Sequence, residues 1–194
     1  MKKIVFLAAF FCLAFVLWSC KSVQAVKEPI SRNLSDKGIK NSRQLLSFFM
    51  DSNPEADSEQ IERMAKKYIE EAETEGINSD CAFAQMCLET GFLRFGGLVT
   101  PEMHNYCGLG SIDQDHPGEI FETEELGIRA HIQHLHAYAT EDDVQLKNEC
   151  IDKRYKWVLP RGKAKTVFGL TKTWASDPDY GTKLDSLLSR MENY

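Results

Sequence analysis

The sequence has no excess of basic residues. Its 194 residues include 23 Lys and Arg against 29 Asp and Glu, which gives a formal net charge of −6. Without residues 1–19, 21 basic and 29 acidic residues remain, for a net charge of −8. A nucleic-acid-binding surface is basic, so this class of protein is excluded. Electrostatic docking onto anionic polymers is not expected either, and recognition should be local and confined to a groove.

The sequence also lacks an apolar run that would span a membrane comfortably. The apolar run of residues 4–17 is shorter than the roughly 20 residues of a spanning helix. It follows Lys2 and Lys3, and this arrangement predicts an export signal over residues 1–20. There is no internal repeat and no low-complexity tract, and the length suits one domain.

The residues that follow this run predict how the protein is anchored. Residues 17–20, LWSC, resemble a lipoprotein cleavage site with Cys20 as the lipid-bearing residue, which would place the protein in the periplasm or at the cell surface. Cleavage after Ala25 is the alternative and would give a secreted protein. We expect residues 21–40, which are polar and aperiodic, to form a flexible tether, and residues 41–194 to form a single domain.

No strong metal-binding pattern is present. His131 and His134 lie three residues apart on a predicted helix, with His136 nearby. Neither an HExxH pattern nor cysteines at a structural-zinc spacing accompany them. We therefore expect histidines that pack in or near the core, no metal and no cofactor.

The cysteines leave two hypotheses open. Beyond residue 20, four remain: Cys81, Cys87, Cys107 and Cys150. An exported protein can form disulfides, although Cys81 and Cys87 fall on different sides of one helix and cannot pair with each other. A cysteine hydrolase with Cys87 or Cys107 as the nucleophile is conceivable, but Cys87 fits helix packing better.

Apolar residues recur at helical spacing through much of the chain. The pattern predicts a helix capped by Ser42 and broken at residues 53–54, and a second helix that is capped by Asp57 or Ser58 and ends at Gly76. Later helices are predicted over residues 123–139, 166–174 and 180–191. Residues 98–120 are predicted to be a loop, with a short hairpin at about residues 111–120.

The stretch from Gly76 to Gly110 carries the main candidate for chemistry. Asn78 is a good N-cap for a helix that is apolar on most faces and is therefore buried. Glu89 lies in the last turn of this helix, where poor solvation and the negative end of the helix dipole both raise the pKa of a carboxyl group. A general acid needs such a pKa. Several glycines follow, and glycines let a substrate approach the backbone closely.

Four segments resemble blocks of the bacterial peptidoglycan N-acetylglucosaminidases, glycoside hydrolase family 73. Residues 84–92, AQMCLETGF, resemble the catalytic-helix signature of that family, and residues 105–110, NYCGLG, resemble its Asn-[Phe/Tyr]-x-Gly-[Ile/Leu] loop. Residues 127–135, GIRAHIQHL, and residues 174–181, WASDPDYG, resemble two later blocks. The blocks occur in the family's order, and the resemblance extends from about Ser58 to the C-terminus.

The resemblance implies a mainly helical (α+β), lysozyme-like fold, in which a helical lobe faces a small loop or hairpin lobe across a substrate groove. It implies hydrolysis of the β-1,4 bond after N-acetylglucosamine in peptidoglycan, with Glu89 as general acid and Tyr180 assisting near the acetamido group. The substrate-binding residues that it implies are Asn105, Tyr106, Gly108, Phe92 and Trp174, with core packing as the alternative for Trp174.

A second catalytic carboxylate is not identified by the resemblance. Glycosidases with two carboxylates place them about 5–5.5 Å apart for retention or about 6.5–9.5 Å apart for inversion. The interval after Gly110 is short, and its candidates are proposed by location only: Asp113, Asp115, Glu119 and Glu122. A mechanism with one protein acid, assisted by the acetamido group of the substrate, therefore stays open.

The sequence is also compatible with two other functions. A lytic transglycosylase also needs only one acid on this kind of fold, and a wall-binding lipoprotein without catalysis would keep the groove. The expected partner in every case is the peptidoglycan strand, with no nucleic acid. We expect a monomer that is attached to a membrane through a lipid on Cys20.

Overall fold

The computed structural model describes residues 28–194. Cys20 and Ala25, the predicted processing sites, lie outside this range. The described residues form five α-helices, α1 to α5, and three single 3₁₀ turns. The helices are α1 (Ser42–Ser52), α2 (Ser58–Glu75), α3 (Ser79–Thr90), α4 (Glu124–Ala139) and α5 (Tyr180–Met191), and the 3₁₀ turns are Pro101–Met103, Tyr155–Trp157 and Val167–Leu170.

Side-chain caps explain where the first three helices begin. The side chain of Asn41, not that of Ser42 as predicted, caps α1, because its amide oxygen accepts hydrogen bonds from two backbone N–H groups of the first turn. Asp57 caps α2 and Asn78 caps α3 in the same way. Gly76 takes the left-handed conformation after α2 (φ +71°), which confirms the predicted end of that helix.

Helix α3 forms the centre of the helical lobe. Ten of its twelve residues are buried, as the nearly continuous apolar sequence predicted. The ring of Phe83 meets the rings of Phe49 on α1 and Tyr68 on α2 edge-on, at centroid distances of 6.3 and 5.7 Å. Burying one such aromatic side chain contributes roughly 1.5–3 kcal/mol to stability. Helix α4 packs against α2, and α5 packs against α3.

Two predicted elements are wrong. The hairpin at residues 111–120 is not formed, since residues 28–194 contain only the isolated bridges Asn33–Thr166 and Thr171–Ala175 and no strand. The side chain of Asp113 accepts hydrogen bonds from the backbone N–H groups of Asp115 and His116 and closes a tight turn instead. The helix predicted over residues 166–174 is reduced to the 3₁₀ turn Val167–Leu170.

The prediction of a flexible tether is wrong for residues 28–40. Ile30 and Leu34 are buried in the core, and backbone hydrogen bonds join Arg32 and Leu34 to residues 165–167. The guanidinium group of Arg32 forms ion pairs with Asp185 (2.7 Å) and Glu192 (2.5 Å) on and beside α5. This segment therefore belongs to the folded domain.

The fold presents a helical lobe and a loop lobe to a common groove. Residues 96–121, between α3 and α4, form the loop lobe. It rests on α4 through a small separate cluster formed by Cys107, Leu109, Phe121 and Ala130. None of the helices found over residues 28–194 combines the length and the apolarity that crossing a membrane requires.

Candidate active site

Glu89 reaches the groove because α3 ends beside it. Gly91 adopts the left-handed conformation (φ +57°) and its N–H bonds back to the carbonyls of Cys87 and Leu88. This cap turns the chain away after Thr90. The buried helix thus has one exposed acid near its C-terminal end.

Two donors hold one oxygen of the Glu89 carboxyl group. The indole Nε1–H of Trp174 donates to Oε1 at 3.0 Å, and the hydroxyl group of Tyr180, the first residue of α5, donates to the same oxygen. A carboxyl proton is therefore favoured on Oε2, which has no such donor. This second oxygen faces Gly108, where an added methyl group would lie 3.9 Å away.

Behind Tyr180 lies a buried chain of hydrogen bonds. Gln85 Nε2 donates to the Tyr180 hydroxyl oxygen at 2.8 Å, and Gln85 Oε1 lies 3.0 Å from His131 Nε2. The other ring nitrogen of His131, Nδ1, lies 3.0 Å from the Tyr68 hydroxyl oxygen. With Nε2 protonated on His131 and Tyr68 donating to Nδ1, every donor in the chain points toward Glu89.

Burial sets the ionisation of these groups. It lowers the pKa of His131 to about 3, so this ring is neutral at ordinary pH. Burial and the charge of Glu89 both raise the pKa of Tyr180, which stays a hydroxyl donor. Although Glu89 is open to the groove, surrounding protein atoms desolvate it and raise the pKa of its carboxyl group, while the hydrogen bonds from Tyr180 and Trp174 oppose the rise.

The groove in front of Glu89 has a volume of about 320 Å³. One wall is formed by Phe95 together with the loop lobe, which contributes Gly96, Leu98, Asn105 and Gly108. The other wall is formed by Trp174 and Ala175 beside Glu89.

The buried side chain of Asn105 holds the loop lobe together through hydrogen bonds to its backbone. Its amide nitrogen donates to the carbonyls of Leu109 (2.9 Å) and Glu119 (3.0 Å), and its amide oxygen accepts from the N–H of Leu109 (2.9 Å). The side chain is buried and its polar atoms are used within the lobe. It positions Gly108 next to the carboxyl group of Glu89.

A comparison with known proteins identifies the family. A family model named Glucosaminidase and described as mannosyl-glycoprotein endo-beta-N-acetylglucosaminidase matches residues 65–193, which include α3, α4, α5 and both walls of the groove. The chain belongs to the glucosaminidase family. A protein of Borreliella burgdorferi, described as uncharacterized, is 38% identical over 173 residues, which cover 89% of this chain and 83% of that protein.

Membership agrees with the architecture and indicates the type of activity. The mainly helical fold fits the lysozyme-like fold that the sequence predicted. As a glucosaminidase-family member, the protein is a glycosidase that acts on peptidoglycan.

The structure brings together some, but not all, of the predicted site residues of this glucosaminidase. Glu89, Tyr180 and Trp174 contact one another, and Gly108 faces the carboxyl group. Tyr106 does not reach the groove beside Glu89. It is buried, and it borders a separate cavity near Gln60 and His104.

Phe92, predicted as a substrate-binding residue, packs into the helical lobe instead. Its ring lies 5.7 Å from that of Phe48 and 5.5 Å from that of Phe49, and its carbonyl accepts a hydrogen bond from Asn53. Positive φ values at Phe92, Leu93 and Phe95 turn the chain so tightly that Phe95 takes the position in the groove. The aromatic residue that lines the groove is therefore Phe95, three residues after the predicted Phe92.

None of the predicted second acids lies in the groove. Among the described residues, Glu89 is the sole carboxylate that lines it. Glu119 forms an ion pair with Lys153 (2.9 Å), and Asp113 bonds to His116 within its turn. Asp115 is exposed on the loop lobe, and Glu122 is exposed between that lobe and α4.

His134, His136 and the four cysteines make packing and hydrogen-bond contacts within the fold. His134 pairs with Asp152 (2.7 Å), and His136 lies 2.9 Å from the Tyr155 hydroxyl oxygen. Over residues 28–194, no three His, Cys, Asp or Glu side chains are grouped closely enough to hold a metal ion. The four cysteines of this part of the chain are free thiols, and burial raises the pKa of Cys87 and Cys107, which disfavours a thiolate nucleophile.

Sequence reasoning missed the role of Gln85. A signal was present, because Gln85 is the one polar residue within an apolar run and lies four residues before Glu89, on the same helix face. It also missed the hydrogen bond between Trp174 and Glu89, which depends on a fold that joins residues 85 positions apart.

Proposed function

We propose that the protein is an endo-β-N-acetylglucosaminidase that cuts peptidoglycan strands on the reducing side of N-acetylglucosamine, with Glu89 as general acid. The observation that carries this proposal is the arrangement at Glu89. Two donors occupy Oε1, so the proton is carried on Oε2, the oxygen that faces the groove beside Gly108. A raised pKa keeps that proton bound to higher pH than in an ordinary glutamate.

The reaction proceeds with one protein acid. Glu89 transfers its Oε2 proton to the glycosidic oxygen while the bond between that oxygen and C1 breaks. With no second carboxylate lining the groove over residues 28–194, the carbonyl oxygen of the substrate's own acetamido group forms the new bond to C1. Water then adds to C1, its proton passes to Glu89, and the acetamido group is released with retention of configuration.

Tyr180 and Trp174 hold Glu89 for both steps. Their hydrogen bonds to Oε1 orient the carboxyl group and stabilise the carboxylate that forms when the proton leaves. The buried Gln85 fixes the direction of the Tyr180 hydroxyl, because its amide N–H occupies the acceptor side of that oxygen. A positioned acid of this kind contributes roughly 10²- to 10⁴-fold to rate.

The test is digestion of purified peptidoglycan, followed by borohydride reduction and mass analysis of the products. Reduced N-acetylglucosamine ends from the wild type, absent with Glu89→Gln and retained with Glu119→Gln, are the expected result. Anhydromuramic ends would instead identify a lytic transglycosylase. No product from wild-type protein that still binds the polymer would favour a wall-binding role.

We further propose that the protein is exported and anchored as a monomer through a lipid on Cys20. The support is the sequence of residues 1–20, a basic start, an apolar run and a terminal cysteine. Incorporation of labelled palmitate that is lost in Cys20→Ala is the expected result. A mature protein without lipid that begins after Ala25 would refute the anchor, and sedimentation equilibrium of the detergent-solubilised protein measures its oligomeric state.

A further inference from the structure

The charge of this acidic protein is distributed unevenly. Residues 153–176 contain seven Lys or Arg and no Asp or Glu, so that 16 of the 23 basic residues and all 29 acidic residues lie elsewhere. The overall negative charge predicted no electrostatic docking onto anionic polymers. That prediction used the net charge of the whole chain, whereas this segment carries a net positive charge.

Several cations of this segment are not neutralised. Lys153 is paired with Glu119 and Lys165 with Glu141. Arg154, Lys156 and Lys163 form no ion pair with any carboxylate of residues 28–194. Their charge is available to a ligand.

One of these cations packs on an exposed aromatic side chain. The guanidinium carbon of Arg154 lies 5.1 Å from the ring centre of Trp157, which is 62% exposed. Leu159, also exposed, accepts a hydrogen bond from Lys163 Nζ through its carbonyl at 3.5 Å. An exposed tryptophan is an apolar platform for the face of a sugar ring, and flanking cations bind carboxylates.

A row of contacts joins this surface to the catalytic groove. The ring of Trp174, which donates to Glu89, lies 5.0 Å from the ring of Tyr138. The same ring of Tyr138 also contacts Lys163, whose Nζ lies 4.7 Å from the ring centre. The cationic surface therefore begins where the Trp174 wall of the groove ends.

We infer that Arg154, Lys156, Trp157 and Lys163 form an outer subsite that binds the anionic, peptide-bearing part of a peptidoglycan strand whose scissile bond lies at Glu89. This inference rests on the proposed function and deepens it, because it names the form of the substrate. Trp157 stacks on a sugar ring of the strand, and the three cations bind carboxylates of its stem peptides. Strands without stem peptides lack those carboxylates and gain only the stacking contact.

Binding is measured by isothermal titration calorimetry in the full-length Glu89→Gln background, which separates binding from hydrolysis. The ligands are soluble, uncross-linked peptidoglycan strands with intact stems and the same strands stripped of stems by an amidase. Arg154→Gln/Lys156→Gln should weaken binding to intact peptidoglycan by about 5- to 10-fold, and added salt should reduce that difference. Binding to stripped strands should stay within about twofold.

Two further variants make the result specific. Lys37→Gln/Lys66→Gln also removes two cations, but from exposed ion pairs with Glu73 and Glu62 on the α2 side of the molecule, and should leave binding unchanged. Trp157→Ala should weaken binding to intact and stripped strands by similar factors, since stacking needs no charge.

The inference is overturned if the Arg154/Lys156 variant binds intact peptidoglycan like wild type, or if the Lys37/Lys66 control weakens binding as much. It is also overturned if the Arg154/Lys156 variant loses binding only to vesicles of anionic phospholipid and not to peptidoglycan, because the surface would then contact a membrane. Failure of the proposed function is a separate result. It would appear as wild-type protein that binds intact strands through this surface and releases no reducing ends.

Discussion

The two sides of the groove are built by different means. Behind Glu89, the helical side is a buried chain of side chains in which each polar atom has a defined partner, from Tyr180 through Gln85 and His131 to Tyr68. The opposite side, residues 96–121, is an exposed loop lobe whose acids pair locally or face solvent. The difference supports the proposal that the proton is transferred on the helical side, while the loop lobe shapes the groove.

Glu89→Gln should have the largest effect on the helical side, a fall in kcat of at least about 10³-fold with the fold retained. It should also stabilise the protein at neutral pH. Because the pKa of Glu89 is raised in the folded state, wild type loses stability as pH rises from the ordinary glutamate pKa of about 4.3 through the folded-state pKa.

The glutamine variant lacks this loss, so its melting temperature should exceed that of wild type at pH 8 and match it at pH 4. Thermal melts at both pH values measure the difference. An equal melting temperature at pH 8 would show that the carboxyl group is not desolvated in the fold.

Tyr180→Phe should lower kcat by about 10- to 100-fold. The lost hydrogen bond favoured the charged form of Glu89, so the pKa of Glu89 should rise further and the alkaline limb of the kcat profile should move to higher pH. Tyr194→Phe removes a half-buried hydroxyl group that bonds to Asp51, far from Glu89 in the groove, and is the matched control. An alkaline limb that stays in place would separate Tyr180 from the ionisation of Glu89.

Gln85→Leu should reduce kcat by about tenfold and the free energy of unfolding by about 1–3 kcal/mol, since the buried His131 and Tyr180 each lose a hydrogen-bond partner. Urea unfolding and kcat are the two measurements. Lower stability with unchanged kcat would make Gln85 a purely structural residue.

Glu119→Gln should have the smallest effect, a change in kcat within about twofold and a loss of stability below about 1 kcal/mol, because Lys153, its ion-pair partner, is 70% exposed. The product assay measures kcat directly. A 100-fold fall would place a second catalytic acid on the loop lobe and would end the distinction between the two sides.

The helical side could be largely predicted from the sequence. Asn78 and Gly91 bound α3, and α5 begins at Tyr180 as predicted, because caps and apolar periodicity are local properties. The contact of Tyr180 with Glu89 required the resemblance in addition, since it joins residues 91 positions apart. Its geometry could not be read from local patterns.

The loop side and the N-terminal segment could not be predicted in the same way. The turn after α3 uses positive φ at Phe92, Leu93 and Phe95, a conformation that non-glycine residues rarely adopt and that is held here by hydrogen bonds to Thr90. Residues 28–40 carry only isolated apolar residues, such as Ile30 and Leu34, and no periodicity marks them as core. Both depend on packing against distant parts of the chain.

Ile30 and Gln44 meet the C-terminal residues 192–194 at one end of α5. The N–H of Ile30 bonds to Glu192, and Gln44 bonds to the carbonyl of Tyr194, while Tyr180 at the other end of the helix touches Glu89. A helix of 12 residues is about 18 Å long. Ile30 and Tyr194 therefore lie about a helix length away from the carboxyl group of Glu89, and a label on Tyr194 should leave the groove unobstructed.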